Sequence, residues 1–172
     1  MQNNKLLFLL ILVWFLILYH AFVLIKIRKK GKIIKNEENE IISLFFSKVN
    51  KLPAFIEIMK KYVNYPDVFE ELIHLHKLWI IYNISSIYDL LSLNSRINKE
   101  FIFLMKLSAK IQDIHKDWNF LYIKNYILFY EKDIEKEISE ISSKIENYNK
   151  LLKIKNYLLI WLLFPISEKI EL

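Results

Sequence analysis

The apolar run from Leu6 to Ile25 constrains this chain more than any other part of its sequence. It reads LLFLLILVWFLILYHAFVLI, twenty residues without a charge, with Trp14 near its middle and His20 as its polar interruption. The hydrocarbon core of a bilayer is about 30 Å thick, and an α-helix rising about 1.5 Å per residue crosses it in about 20 residues. The run therefore predicts a transmembrane helix, which anchors the chain through residues 1–25.

Basic residues on both sides of this run predict how the helix is oriented. Lys5 precedes the run, and the residues that follow it include Lys26, Arg28, Lys29, Lys30, Lys32 and Lys35. Because basic flanks stay in the cytoplasm, we expect the N-terminus outside the cell membrane and the bulk of the chain inside. The run is too long for the core of a cleaved signal peptide, which favours a retained single-pass anchor. Residues 26–36 are expected to form a basic juxtamembrane stalk beside anionic lipid headgroups.

The net charge of +6 comes from this first part of the chain. Residues 1–35 hold seven of the 25 basic residues and none of the 19 acidic ones, whereas residues 36–172 carry 18 basic and 19 acidic side chains. A domain without a net basic charge is not expected to bind nucleic acid. The sequence has no cysteine, which excludes disulfides and thiolate chemistry, and its single glycine excludes a glycine-rich phosphate loop.

The scarcity of turn-forming residues predicts an all-α fold. Residues 37–172 are expected to form a cytoplasmic helical domain, because a chain with one glycine and three prolines has few tight turns. Apolar residues follow helical spacing to about Asn64, with Gly31 as a weak point and a bend or restart at Pro53. Pro66 favours the start of a second helix. Four helices with short connections are expected to stack as a long antiparallel four-helix bundle.

The sequence also predicts the last two helices of this bundle. The apolar pattern loses phase at residues 92–95, and Asn94 or Ser95 is expected to cap the third helix. The polar residues 113–119 are expected to connect it to the last and longest helix. That helix carries an apolar stripe with spacings of three and four residues, as in coiled coils. The stripe consists of Phe120, Ile123, Ile127, Tyr130, Ile134, Ile138, Ile141, Ile145, Tyr148 and Leu152.

A second apolar segment, residues 157–165, follows this helix. It is too short to span a bilayer. Two interpretations of the segment are open: it packs as a capping cluster against the bundle, or it lies in the membrane interface with Trp161 at headgroup level.

Glu71 and His74 are spaced as in the carboxylate bundles that bind two metal ions. Such a site needs a second Glu-x-x-His step, and none of the other histidines has a glutamate three residues before it. We therefore expect no metal, no cofactor and no catalytic residue, with a membrane-tethered di-metal enzyme as an alternative. The expected partners are the lipid bilayer, an unidentified protein and a second copy of the chain bound through the stripe from Ile138 to Leu152.

Several short motifs resemble those of LemA family proteins. The positions that carry the resemblance are Asn50, Leu52, Pro53, Tyr62, Tyr148, Asn149, Asn156, Phe164 and Pro165. Their order is also similar: an anchor, a proline motif, a middle hairpin and a late Tyr-Asn helix. The resemblance implies a divergent member of this family, an anchored bacterial helical bundle without established enzymatic activity. Such a protein would be a scaffold or interaction module at the inner face of the cytoplasmic membrane. The alternative is an oligomerising coiled-coil protein of the envelope or of membrane remodelling.

Overall fold

The protein is built from α-helices and short 3₁₀ turns. The computed structural model describes residues 2–81 and 87–155, and within these ranges there is no β-strand, which confirms the all-α prediction. The helices in these ranges are α1 (Gln2–Val49), α2 (Leu52–Lys60), α3 (Glu70–Ile81), α4 (Ile87–Ser108) and α5 (Trp118–Lys155). The 3₁₀ turns Pro66–Phe69 and Asp113–Lys116 precede α3 and α5.

Helix α1 continues without a break through the basic residues 26–36. The weak point predicted at Gly31 does not interrupt the helix, although a glycine inside a helix costs about 1 kcal/mol relative to alanine. The ring of Tyr148 from α5 packs directly beside Gly31, close enough that a Cβ atom there would contact it. A Cβ atom placed on Gly31 would lie 3.4 Å from Cε2 of that ring. Close packing of the ring on the backbone offsets the weak helix propensity of glycine.

The restart predicted at Pro53 is confirmed. Helix α1 ends at Val49 and α2 begins at Leu52, so that the proline lies in the first turn of α2. A backbone N–H in the first turn has no partner inside the helix, and proline loses nothing there. The predicted boundary before the next helix is also confirmed, since Pro66 opens a 3₁₀ turn and α3 starts at Glu70.

The predicted cap of the third helix is wrong. Asn94 and Ser95 lie inside α4, which already begins at Ile87. Asparagine usually weakens a helix interior because its amide competes for backbone hydrogen bonds. Here the amide of Asn94 bonds instead to the side chains of Lys48 and Glu131, so it does not compete with the helix. Residues 82–86, where the second helix was expected to continue, lie outside the described residues.

The predicted last helix is confirmed as α5, but it is not the longest, since α1 has 48 residues and α5 has 38. The side chain of Asp117 caps it, since Oδ1 accepts hydrogen bonds from the backbone N–H groups of Asn119 at 2.8 Å and Phe120 at 3.2 Å. Every seventh residue of the predicted stripe is fully or almost fully buried: Phe120, Ile127, Ile134, Ile141 and Tyr148. These positions therefore face the interior of the chain, as does Ile145, whereas the stripe residues Ile123, Tyr130, Ile138 and Leu152 are half-buried.

The chain divides into two compact units. Within the described residues, the first comprises residues 2–37 and 140–155, and the second comprises residues 38–81 and 87–139. In the first unit, the described core consists of Val23, Ile27, Ile34, Ile141, Ile145 and Tyr148. The expected division into anchor, stalk and bundle, like the antiparallel four-helix arrangement, stays a prediction.

Aromatic rings form the centre of the unit made by residues 38–139. Phe45 of α1 meets Trp79 of α3 edge-on, with 4.9 Å between ring centroids. Phe55 of α2 lies 5.0 Å from Phe101 of α4 and 6.0 Å from Phe120 of α5. Pairs at this spacing contribute about 0.5–1.5 kcal/mol each beyond the area they bury. Ring contacts in this unit therefore join α1 to α3, and α2 to both α4 and α5.

Candidate functional site

The apolar run at the start of α1 projects its side chains outward. Leu6, Trp14 and Ile25 are 64%, 64% and 66% exposed, and large apolar residues between them are exposed as well. Only 11% of the most apolar 18-residue window of this helix is buried, whereas a core helix of a soluble protein is mostly buried. Among the described residues, this is the one helix long and apolar enough to cross a membrane. Its exposed surface is the kind that lipid tails cover.

The basic residues after the run lie on the same continuous helix. Lys26, Arg28 and Lys29 are exposed, and Lys30 is half-buried. Beyond them, Lys144 of α5 pairs with Glu37 at 2.5 Å. The exposed cations are thus available to anionic headgroups close to the end of the apolar run.

A second site lies in the interior of the unit made by residues 38–139, where a lysine is fully enclosed. The side chain of Lys48 on α1 is 0% exposed. Its Nζ atom donates to Oδ1 of Asn94 at 2.7 Å, to Oδ1 of Asn98 at 2.5 Å and to Oε2 of Glu131 at 2.5 Å. The two asparagines lie one turn apart on α4, so both face the lysine, and the glutamate lies on α5.

The same four side chains also bond to one another, which completes the network. Oε1 of Glu131 accepts from Nδ2 of Asn94 at 3.2 Å and from Nδ2 of Asn98. An ammonium group has three donors, and all three are used here. Burial lowers the pKa of Lys48, while the carboxylate of Glu131 acts in the opposite direction. Three acceptors around Nζ match the protonated form, because a neutral amine would leave one acceptor without a proton.

This arrangement determines what the lysine can do chemically. A protonated amine whose three hydrogens are donated has no free electron pair, so it is neither a base nor a nucleophile. A buried ionic network can instead fix the register of the helices that supply its members. We therefore interpret the Lys48 network as a positioning device for α1, α4 and α5.

The sequence reasoning missed this network, although a signal was present. Lys48 follows Ile27, Ile34 and Ile41 at steps of seven residues, all of them buried. Glu131 lies four residues after Ile127 and three before Ile134, so it shares the face of α5 that carries these two buried residues. Polar residues at core positions of several helices are a pattern that predicts buried pairing.

The motif positions near Pro53 have distinct environments. Asn50 is exposed in the turn between α1 and α2, Leu52 is buried, and Pro53 is exposed. Tyr62 donates its hydroxyl to Oδ2 of Asp117 at 3.0 Å. The N–H of Phe120 and the Tyr62 hydroxyl hold the pKa of Asp117 below its ordinary value.

The later motif positions are described in part. Tyr148 is buried against Gly31, and Asn149 is half-buried. Asn156, Phe164 and Pro165 lie outside the described residues, as does the whole of the apolar segment 157–165.

The carboxylate and imidazole considered for a metal site lie on the surface. Oε1 of Glu71 accepts a hydrogen bond from Nη2 of Arg96 at 2.8 Å, and His74 is exposed. Across residues 6–81 and 87–153, no group of three or more histidine, aspartate or glutamate side chains is placed to hold a metal ion. Glu71 thus has a cationic partner already, and the described residues supply no further ligands.

Comparison with known proteins identifies no relative of this chain. The chain matches no family model, no curated protein and no solved structure.

Proposed function

We propose that this chain is a single-pass membrane protein that acts as a non-catalytic scaffold or interaction module. The start of α1 anchors it in a bacterial cytoplasmic membrane, and the remaining helices lie in the cytoplasm. The observation that carries this proposal is the exposed apolar surface from Leu6 to Ile25. This exposed apolar surface is far larger than the apolar patches that soluble monomers present to water.

The charge distribution supports the orientation. The exposed cations Lys26, Arg28 and Lys29 follow directly after the apolar run, and each contributes about 1 kcal/mol to attraction by an anionic leaflet. With Lys5 alone before the run, the side richer in basic residues is the side expected in the cytoplasm.

A LemA-like bundle is the arrangement that we propose for the helical part. Two residues that carry the family resemblance have physical roles here: Tyr62 bonds to the cap of α5, and Tyr148 packs on Gly31. The Lys48 network joins three helices at one level, as a bundle requires. These contacts favour a structural role for the helices, and none of them identifies a group that could carry out a reaction.

The alternative of coiled-coil oligomerisation through the Ile138–Leu152 stripe has less support. Ile141 and Ile145 of this stripe are already buried within a single chain. A partner helix could reach them only if the chain opened. The di-metal alternative has less support as well, because Glu71 is paired with Arg96.

Membrane integration tests the proposal directly. The full chain, expressed in bacteria, should stay in the pellet after extraction with alkaline carbonate. Leu10→Lys combined with Trp14→Lys should release it, because each lysine at the centre of a span costs about 2.5–3.5 kcal/mol on insertion scales. The matched control, Phe46→Lys combined with Ile80→Lys, changes two exposed apolar residues outside the run and should stay in the pellet.

A topology reporter tests the orientation. An enzyme active only in the cytoplasm, fused after Leu172, should be active, and one active only outside should be silent. The opposite pattern would reject the cytoplasmic location, and release of the unaltered chain by carbonate would reject the anchor itself.

A further inference from the structure

An open groove of about 690 Å³ runs along α4 in the unit made by residues 38–139. Its α4 side presents Ile102 and Phe103, which are 52% and 48% exposed. Ile138 of α5 lies on its other side. The groove is therefore a concave, partly apolar surface formed mainly by α4, with Ile138 of α5 at its edge, of the kind that receives an amphipathic helix.

The charges of this groove all have one sign. Lys99 and Lys106 are the charged residues that line it, and both are exposed. They are seven residues apart on α4, which places them about 10.5 Å apart along the helix axis and on one face. Neither lysine enters an ion pair within the described part of the chain. Two cations without carboxylate partners thus flank the exposed apolar pair.

We propose that this groove binds an amphipathic helix of a partner protein that carries acidic residues seven positions apart. Carboxylates at that spacing are also about 10.5 Å apart, so each meets one lysine. Apolar residues three and four positions after the first carboxylate lie on the same face and meet Ile102 and Phe103. The complementary charges set the position of the partner along the groove.

The shape of the surface favours a helix over a bilayer. A membrane contacts side chains that project from a convex face, whereas the ridge of a helix enters a concavity between two helices. The wall of this groove is also held in place from within. Asn94 and Asn98 line it, and the Lys48 network fixes both. A preformed groove binds with a smaller loss of conformational entropy.

This inference deepens the proposed function, because it names the partner class of the interaction module. The test uses the full chain in nanodiscs of phosphatidylcholine and a fluorescently labelled helical peptide containing Glu-x-x-Leu-Leu-x-x-Glu. Anisotropy should show saturable binding. A peptide with lysine at both glutamate positions should not bind.

Charge reversal identifies the groove as the binding site. Lys99→Glu combined with Lys106→Glu should raise the Kd of the acidic peptide at least roughly tenfold and should allow the lysine peptide to bind. The matched control, Lys77→Glu combined with Lys110→Glu, makes the same change of net charge at exposed positions outside the groove and should leave both affinities unchanged. Circular dichroism verifies that each variant keeps its helices.

Three results would overturn the proposal: absence of saturable binding, equal effects of the two double variants, or no exchange of peptide preference on charge reversal. Nanodiscs containing phosphatidylglycerol add a further arm. Loss of peptide binding there would mean that the lysines face headgroups, which also overturns it. Carbonate extraction of the same variants keeps the two proposals distinguishable, because a groove that fails to bind leaves the anchor in the membrane.

Discussion

The Nζ atom of Lys48 lies 2.5 Å from Oε2 of Glu131, although the two residues are 83 positions apart in the chain. The lysine side chain is fully buried and that of the glutamate is 16% exposed. Bringing two charges out of water costs several kcal/mol for each ion, and the cost is recovered only when every donor and acceptor is paired. Asn94 and Asn98 supply the remaining partners, so this ion pair depends on three helices at once.

Removing the lysine charge should be strongly destabilising. Lys48→Met keeps an unbranched side chain that is one atom shorter but leaves Glu131 without its cation, and we expect a loss of about 3–5 kcal/mol in the free energy of unfolding. Urea unfolding of the full chain in detergent micelles, followed by circular dichroism, measures this. The matched control is Lys51→Met. Lys51 lies in the turn between α1 and α2 and is half-buried, so this substitution should lower the free energy of unfolding much less.

The pair should also show coupling. Lys48→Met combined with Glu131→Leu removes both charges, so the double variant should lose less stability than the sum of the two single losses. We expect a coupling free energy of about 1–3 kcal/mol. Strict additivity in the double-mutant cycle would contradict the network.

Gly31→Ala should stabilise the protein. A Cβ atom would meet Cε2 of Tyr148 at 3.4 Å, which is an ordinary contact distance, and alanine is favoured over glycine in a helix by about 1 kcal/mol. The expected gain is up to about 1 kcal/mol in the same urea experiment. Gly31→Leu cannot fit without moving the buried ring and should destabilise, and equal stability of the two variants would argue against this packing.

The Asp117 side chain that caps α5 should make the free energy of unfolding depend on pH in the acidic range. The pKa of Asp117 is held below its ordinary value by the N–H of Phe120 and then by the hydroxyl of Tyr62. The stabilisation is therefore complete above the ordinary aspartate pKa of about 4 and is lost as the pH falls through the lowered pKa. Tyr62→Phe should move the pKa of Asp117 upward.

Carbon-13 NMR of the Asp117 carboxyl group, titrated in the full chain, measures this pKa. Tyr65→Phe is the control, since that exposed tyrosine is not a hydrogen-bond partner of Asp117. A pKa that does not respond to Tyr62→Phe would remove the hydroxyl from the explanation.

Tyr126 of α5 should ionise only at strongly alkaline pH. A hydrogen bond with Tyr130 raises the pKa of Tyr126 to about 12, and their ring centroids lie 4.6 Å apart. A pKa raised in the folded state gives stability that is present below the ordinary tyrosine pKa of about 10 and is lost as the pH rises through the raised value. Absorbance titration at about 295 nm should show this late step, and Tyr130→Phe should move it to lower pH.

The sequence by itself determined the features that depend on local spacing. A helix repeats every 3.6 residues whatever surrounds it, so the apolar stripe of α5 could be read directly, with Ile127 and Ile134 in the interior. Proline acts on its own backbone, so the restart at Pro53 and the boundary at Pro66 were predictable as well. The length of the apolar run needed no tertiary information.

Tertiary structure alone decided where polar groups find partners. Asn94 has the local chemistry of a cap, yet it lies inside α4 because Lys48, 46 residues away, takes up its amide oxygen. Gly31 has the local propensity of a helix breaker, yet α1 continues because Tyr148 packs on it. A hydrogen bond exposed to water adds little net stability, whereas a buried polar group without a partner is strongly destabilising. The residue that supplies the partner can lie at any distance along the chain.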